Sequence, residues 1–133
     1  MYITITCDLK QSRQLKNREE VQYKLINMLK EVNKHYKSHI ASEFIITLGD
    51  EWQGLLHYPC DFMDIIDYFR KYMAGIQFYV GIGIGDVTIH NFELTVNQLD
   101  GPSFYNAREA LKIAKANNYS LVVVADNWDY EYV

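Results

Sequence analysis

Apolar residues fall along this chain in short runs and helical stripes. Tyr2 to Cys7, YITITC, is short and rich in β-branched residues, which reads as a strand. Asp8 ends it. A polar loop follows, LKQSRQLKNR, in which Asn17 and Glu20 have the spacing of a capping box. Val21, Leu25, Met28, Leu29, Val32 and Tyr36 then recur at helical spacing, and Lys34 to Ser42 is a polar exit. In Phe44 to Leu56, FIITLGDEWQGLL, two apolar runs flank Gly49-Asp50. That pattern predicts a tight hairpin, with Gly49 at the first central position where φ is positive. It puts Asp50 at the tip and Glu51 at the start of the return strand.

Pro59 closes the hairpin, and Asp61 stands where it can cap a second helix. The stripe of that helix is Phe62, Ile65, Ile66, Phe69 and Met73, with Gly75 as its stop. Gln77 to Gly85, QFYVGIGIG, alternates strictly, so Val80, Ile82 and Ile84 face one way and Gly81, Gly83 and Gly85 the other. The spacing is not that of a dinucleotide fingerprint. A glycine-lined strand face is where something packs close to the backbone: a helix, a partner subunit or a ligand base. VTI and FELTV, within Val87 to Leu99, look like short strands around His90-Asn91. Asp100-Gly101-Pro102 is a turn. A third helix follows with Phe104, Ala107, Leu111 and Ala114 inward, ended by Asn117-Asn118. Leu121 to Ala125, LVVVA, reads as a buried strand. The tail, DNWDYEYV, has no clear class.

The first six elements have the ferredoxin-like βαββαβ order, followed by an added helix and strand. A right-handed crossover makes the first two strands parallel. The hairpin then returns the third strand antiparallel, into the gap between them. Asp8 is thereby expected beside Asp50 and Glu51, across roughly 5 Å of strand spacing. Clustered carboxylates repel unless a cation lies between them, and divalent ions shared with substrate phosphates are the usual solution. The loop carrying Lys10, Ser12, Arg13, Lys16 and Arg18 leads into a helix N-terminus near the same point, which suits phosphate. Arg108, Lys112 and Lys115 form a second basic stripe on the third helix, which reads first as a solvated face.

Composition narrows the classes. The chain has 133 residues, enough for one domain with a substantial core. A net charge of -4 argues against general duplex-DNA binding. The two cysteines, Cys7 and Cys60, are not in a CxxC and read as reduced structural residues of a cytoplasmic protein. No signal peptide or membrane span is expected from the sequence.

Four blocks in order, CDLKQSR, LGDEWQGLL, YVGIGIGDV and DGPSFYNAREAL, together resemble the SatD family. They also look like a reduced class III nucleotidyl cyclase domain and its GGDEF relative, which share a palm architecture. The resemblance implies two metal ions, Mg²⁺ or Mn²⁺, held by Asp8 and Asp50, with the Leu9 carbonyl as a further ligand. Glu51 matches the Glu of GGDEF, whereas Leu48 replaces its first Gly. Ile46 stands where adenylate-type cyclases carry a base-reading Lys. The late-helix Asn and Arg of those cyclases fall on Tyr105 and Glu109, with Asn106 and Arg108 each displaced by one. Asn106 is thus a candidate for substrate binding and Arg108 for catalysis. Cyclases of this type work at a two-fold interface, so a homodimer is implied. SatD-family members are generally longer, with a C-terminal region resembling a helix-turn-helix.

The expectation is an α/β palm domain over residues 1–133 that binds a nucleoside triphosphate through a metal, with phosphoryl or nucleotidyl transfer as its possible chemistry. The alternative is a non-catalytic nucleotide-sensing or dimerisation module that regulates a C-terminal DNA-binding region. Neither reading requires this domain itself to bind nucleic acid.

Overall fold

A computed structural model of the chain describes residues 1–126, with the Arg13 side chain outside the described part. The strands are β1 (Tyr2–Leu9), β2 (Ile40–Leu48), β3 (Glu51–His57), β4 (Phe78–Gly85) and β5 (Leu121–Ala125). The helices are α1 (Arg18–His35), α2 (Phe62–Met73) and α3 (Pro102–Asn117). The five strands form one sheet in the order β2-β3-β1-β4-β5. β1 lies antiparallel to both β3 and β4, and β5 is parallel to β4. The first four strands therefore have ferredoxin-like order, and α3 with β5 extends the sheet. The tail beyond Asp126 lies outside the described residues.

Alternation along the strands divides the molecule into layers. Ile3, Ile5 and Cys7 of β1 and Val80, Ile82 and Ile84 of β4 bury one sheet face against the stripes of α1 and α2. Trp52 lies within this layer, edge-on to Phe69 and tilted against Phe78. Burial raises the Cys7 thiol well above its ordinary pKa.

α3 covers the opposite face, over the glycines. A Cβ on Gly83 would lie 2.1 Å from the Ser103 carbonyl oxygen and 2.2 Å from the Ala107 nitrogen. One on Gly81 would lie 2.5 Å from the Leu111 nitrogen. The helix backbone occupies the space that side chains would need. The glycine face is thus covered by a helix of the same chain, and it carries no argument for a second subunit. The buried hydroxyls of Thr4 and Ser103 meet at 2.8 Å between β1 and α3.

Other sequence expectations are corrected. Gly49 is not among the residues with positive φ, and a register shift between Ile46 and Leu48 lies just before the turn. A bulge adds twist to the strand pair, so the hairpin does not need a primed turn. β2 begins at Ile40, inside the stretch that reads as a polar exit. Asn33 holds this edge strand to α1: its amide donates to the Phe44 carbonyl at 2.9 Å, and its oxygen accepts from the Phe44 N–H at 2.7 Å. Neither Asn17 nor Asp61 makes a side-chain cap bond, although each precedes its helix.

Residues 87–99 contain no strand. Both edges of β4 are already paired, with β1 and β5, so this segment cannot turn back and pair with the strand it follows. Val87, Val96 and Leu99 pack with Leu55 and Phe104 as a small second cluster, and Thr95 with Gln98 forms a capping box on a single turn. β5 is an edge strand, so Leu121 to Val123 are only half-buried.

Candidate functional site

Strand register fixes the centre of the site. Asp8 pairs with Glu51 across β1 and β3, and with Tyr79 across β1 and β4. Directly paired residues project to the same sheet face, so both carboxylates stand on the α3 side. The hairpin tip folds beside them: the Leu9 N–H donates to the Asp50 carbonyl at 3.0 Å. Ser12 donates its hydroxyl to the Asp50 carboxylate at 2.6 Å, and Arg18, at the start of α1, donates to the Gly49 carbonyl at 2.9 Å. These bonds gather the end of β1, the hairpin tip and the entry to α1.

The third helix brings a cation to this point. Lys115, in the last turn of α3, pairs with one oxygen of Asp8. The other oxygen, Oδ1, is buried with no hydrogen-bond partner. Asp8 as a residue is 8% exposed. Burial raises its pKa, the Lys115 hydrogen bond and charge pull it back, and the nearby Asp50 charge adds to the rise. Glu51 is raised too, by burial first and then by the Asp8 charge, and accepts a bond from Thr6 at 3.4 Å. Burial alone would lower the pKa of Lys115. Its hydrogen bond to Asp8 and the charges of Asp8, Glu51 and Asp50 outweigh that, and the pKa is raised.

The other predicted site residues fall into two groups. Lys10 turns away from the carboxylates: its ammonium lies 4.6 Å from the Tyr79 ring centroid and donates to Asn118 at 3.4 Å. Lys16 is exposed on the same loop, and the Arg13 side chain lies outside the described part. Asn106 and Arg108 are not brought to the carboxylates within one chain. Asn106 donates to the Ile84 carbonyl at 3.0 Å and to Asp126 at 2.8 Å. Ile84 is five residues along β4 from Tyr79, the partner of Asp8, so it lies about 16 Å away along the strand. Arg108 is exposed and seven residues before Lys115, about 10 Å along the helix axis. The helix runs from the far end of the sheet toward Asp8, and only its C-terminal turn reaches the cluster.

From the sequence, Lys115 reads as part of a solvated basic stripe. Its signal lay in the topology: a helix crossing from the end of β4 must finish above the end of β1. Beside the hairpin tip, Arg18, Glu19, Gln22, Tyr23 and Gly49 line a groove of about 480 Å³.

Among the described residues no three His, Cys, Asp or Glu side chains converge as a ready metal cage. Mg²⁺ does not need one: it usually takes one or two carboxylates and completes its shell with water and substrate phosphates. The unpartnered buried oxygen of Asp8, with Glu51 opposite, fits such an ion.

Residues 2–133 match the SatD family. The chain belongs to the SatD family. Among solved structures, it is similar to an EAL/GGDEF domain protein from M. capsulatus, at a TM-score of 0.52 and 14% identity, covering 92% of this chain and 84% of that one. At that identity the likeness shows the fold: this SatD-family chain has a GGDEF-like arrangement of sheet and helices. No curated protein matches it. No helix among the described residues is long and apolar enough to cross a membrane.

Proposed function

We propose that this end of the sheet binds a nucleoside triphosphate together with Mg²⁺ or Mn²⁺. The observation that carries the reading is the buried, unpartnered Oδ1 of Asp8, set opposite Glu51 and close to Asp50. Asp8 with Glu51 or Asp50 would hold the cation, with the Leu9 carbonyl alongside. Bound there, a divalent ion would neutralise phosphate charge and polarise phosphoryl oxygens. Ser12 and Arg18 lie beside the hairpin tip at the entry to α1, where they would meet phosphate oxygens. Such a role belongs in the cytoplasm, where nucleoside triphosphates are held.

Binding is expected to exceed turnover. Phosphoryl transfer depends on positioning and on neutralising developing charge. Asn106 and Arg108 stand away from the cluster in one chain, so a homodimer would have to supply such groups across an interface. A second reading rests on the same observation: a domain that binds without rapid chemistry acts as a nucleotide-sensing or dimerisation module for an attached DNA-binding region.

Thermal melts with each of the four nucleoside triphosphates, with and without Mn²⁺, test the proposal. A ligand at 100 times its Kd adds about 2.7 kcal/mol of stability. Mn²⁺-dependent stabilisation is expected, and it should be lost in Asp8→Ala. The same incubations, resolved by mass spectrometry, should contain little cyclic or linked nucleotide. No Mn²⁺-dependent shift with any triphosphate contradicts the reading.

A further inference from the structure

We propose that Lys115 makes cation and polyphosphate binding at this site mutually dependent. Its ammonium holds the place of a divalent ion on Asp8 and yields it only when a polyphosphate can receive the ammonium. This rests on the reading above and adds a specificity to it: the site takes a metal with a polyphosphate and discriminates against the free metal.

Three observations carry the inference. First, the pair is asymmetric. The Asp8 side chain is 11% exposed and that of Lys115 is 45% exposed, so the lysine reaches inward from solvent on a flexible stem. Second, Lys115 is the cation that the cluster pairs with. Among the described residues Arg18 is bonded to Gly49 and Lys10 to Asn118, and no other ion pair reaches Asp8, Glu51 or Asp50. Third, the pair leaves Asp8 half satisfied, with Oδ1 buried and unpartnered.

A divalent ion arriving at Oδ1 therefore meets an ammonium on the same carboxylate. Two cations that close repel strongly in a partly buried site. The free ion binds weakly unless Lys115 leaves. Lys115 sits at the C-terminal end of α3, where carbonyl dipoles favour a cation, so departure into solvent also has a cost. A polyphosphate removes both penalties, because its oxygens can bridge the metal and the ammonium at once. Reciprocity requires that metal and polyphosphate then raise each other's affinity by the same factor. A monophosphate offers fewer oxygens to share and should couple less.

The test is titration of Mn²⁺ alone, followed by the electron paramagnetic resonance signal of the free ion, and of the preformed Mn²⁺–tripolyphosphate complex, followed by equilibrium dialysis against the protein. Both are run on wild type, Lys115→Met, Lys115→Arg and Lys112→Met. Lys112→Met removes the same charge from an exposed position one turn earlier. For Lys115→Met, Mn²⁺ alone should bind tighter on the order of tenfold, while tripolyphosphate in the presence of Mn²⁺ binds more weakly. Lys115→Arg should keep the coupling, and Lys112→Met should leave both affinities near wild type. Loss of one positive charge shifts the two affinities in these opposite directions by itself, so the discrimination lies in Lys112→Met: a comparable pair of shifts there would reduce the effect to net charge and overturn the role of Lys115. If wild type binds Mn²⁺ with tripolyphosphate but Lys115→Met gains nothing for Mn²⁺ alone, the role of Lys115 is wrong while the site stands. If wild type binds no Mn²⁺ even with tripolyphosphate, the functional reading fails and the inference fails with it.

Discussion

Glu51 is a carboxyl that the fold tolerates rather than uses for stability. Its pKa is raised by burial first and by the charge of Asp8 next. A group with a raised pKa binds more protons folded than unfolded. Its stabilising contribution is complete below its ordinary value of 4.5 and is lost as pH rises through the higher folded value. Glu51→Gln cannot ionise. Thermal melts of that variant should lose less stability than wild type from that value upward, and at pH 7 its Tm should equal or exceed the wild-type one. Parallel pH profiles would show that the Glu51 carboxylate is not under burial stress. Asp8 is raised by the same causes, but Lys115 offsets part of its rise. Removing Asp8 would therefore mix relief of repulsion with loss of an ion pair, and Glu51 is the cleaner probe.

At the scale of elements, the contact between α3 and β4 decides whether the site assembles, because it sets where the last turn of α3 ends. Gly83→Val should be severely destabilising, by about 3 kcal/mol or more, since the new Cβ meets helix backbone that cannot rotate away. Chemical denaturation measures this. A variant within 1 kcal/mol of wild type, roughly the scatter of surface changes, would contradict the packing described. The α1 and α2 stripes were legible because their period is local: every inward position of α1 named from the sequence is buried. The glycine strand was legible as a close-packing face, but its period says nothing of what packs there. Residues 87–99 misled because apolar alternation is a local pattern, whereas a strand needs a free edge and β4 had none.

At the scale of the whole molecule, the strand order follows from connection rules, and with it the adjacency of Asp8, Asp50 and Glu51. That much of the candidate site could be read from the sequence. Lys115 reads from the sequence only as one of three basic positions on α3; the direction of that helix, from the end of β4 back over β1, is what singles it out as the one that reaches Asp8. Asn106 and Arg108 were aligned by residue offset along one helix, and the direction of that helix carries them away from the carboxylates. The GGDEF-like fold and SatD membership frame the domain without fixing its chemistry. The central claim is that Asp8 is a cation ligand in a nucleotide complex. Crystals of the protein grown with Mn²⁺ and a non-hydrolysable nucleoside triphosphate, measured for Mn²⁺ anomalous scattering, address it most directly. The account predicts a peak within about 2.5 Å of Asp8 Oδ1, shared with phosphate oxygens and with Lys115 moved off Asp8. Bound nucleotide with no peak near Asp8, or a peak elsewhere while Lys115 remains paired with Asp8, would contradict it.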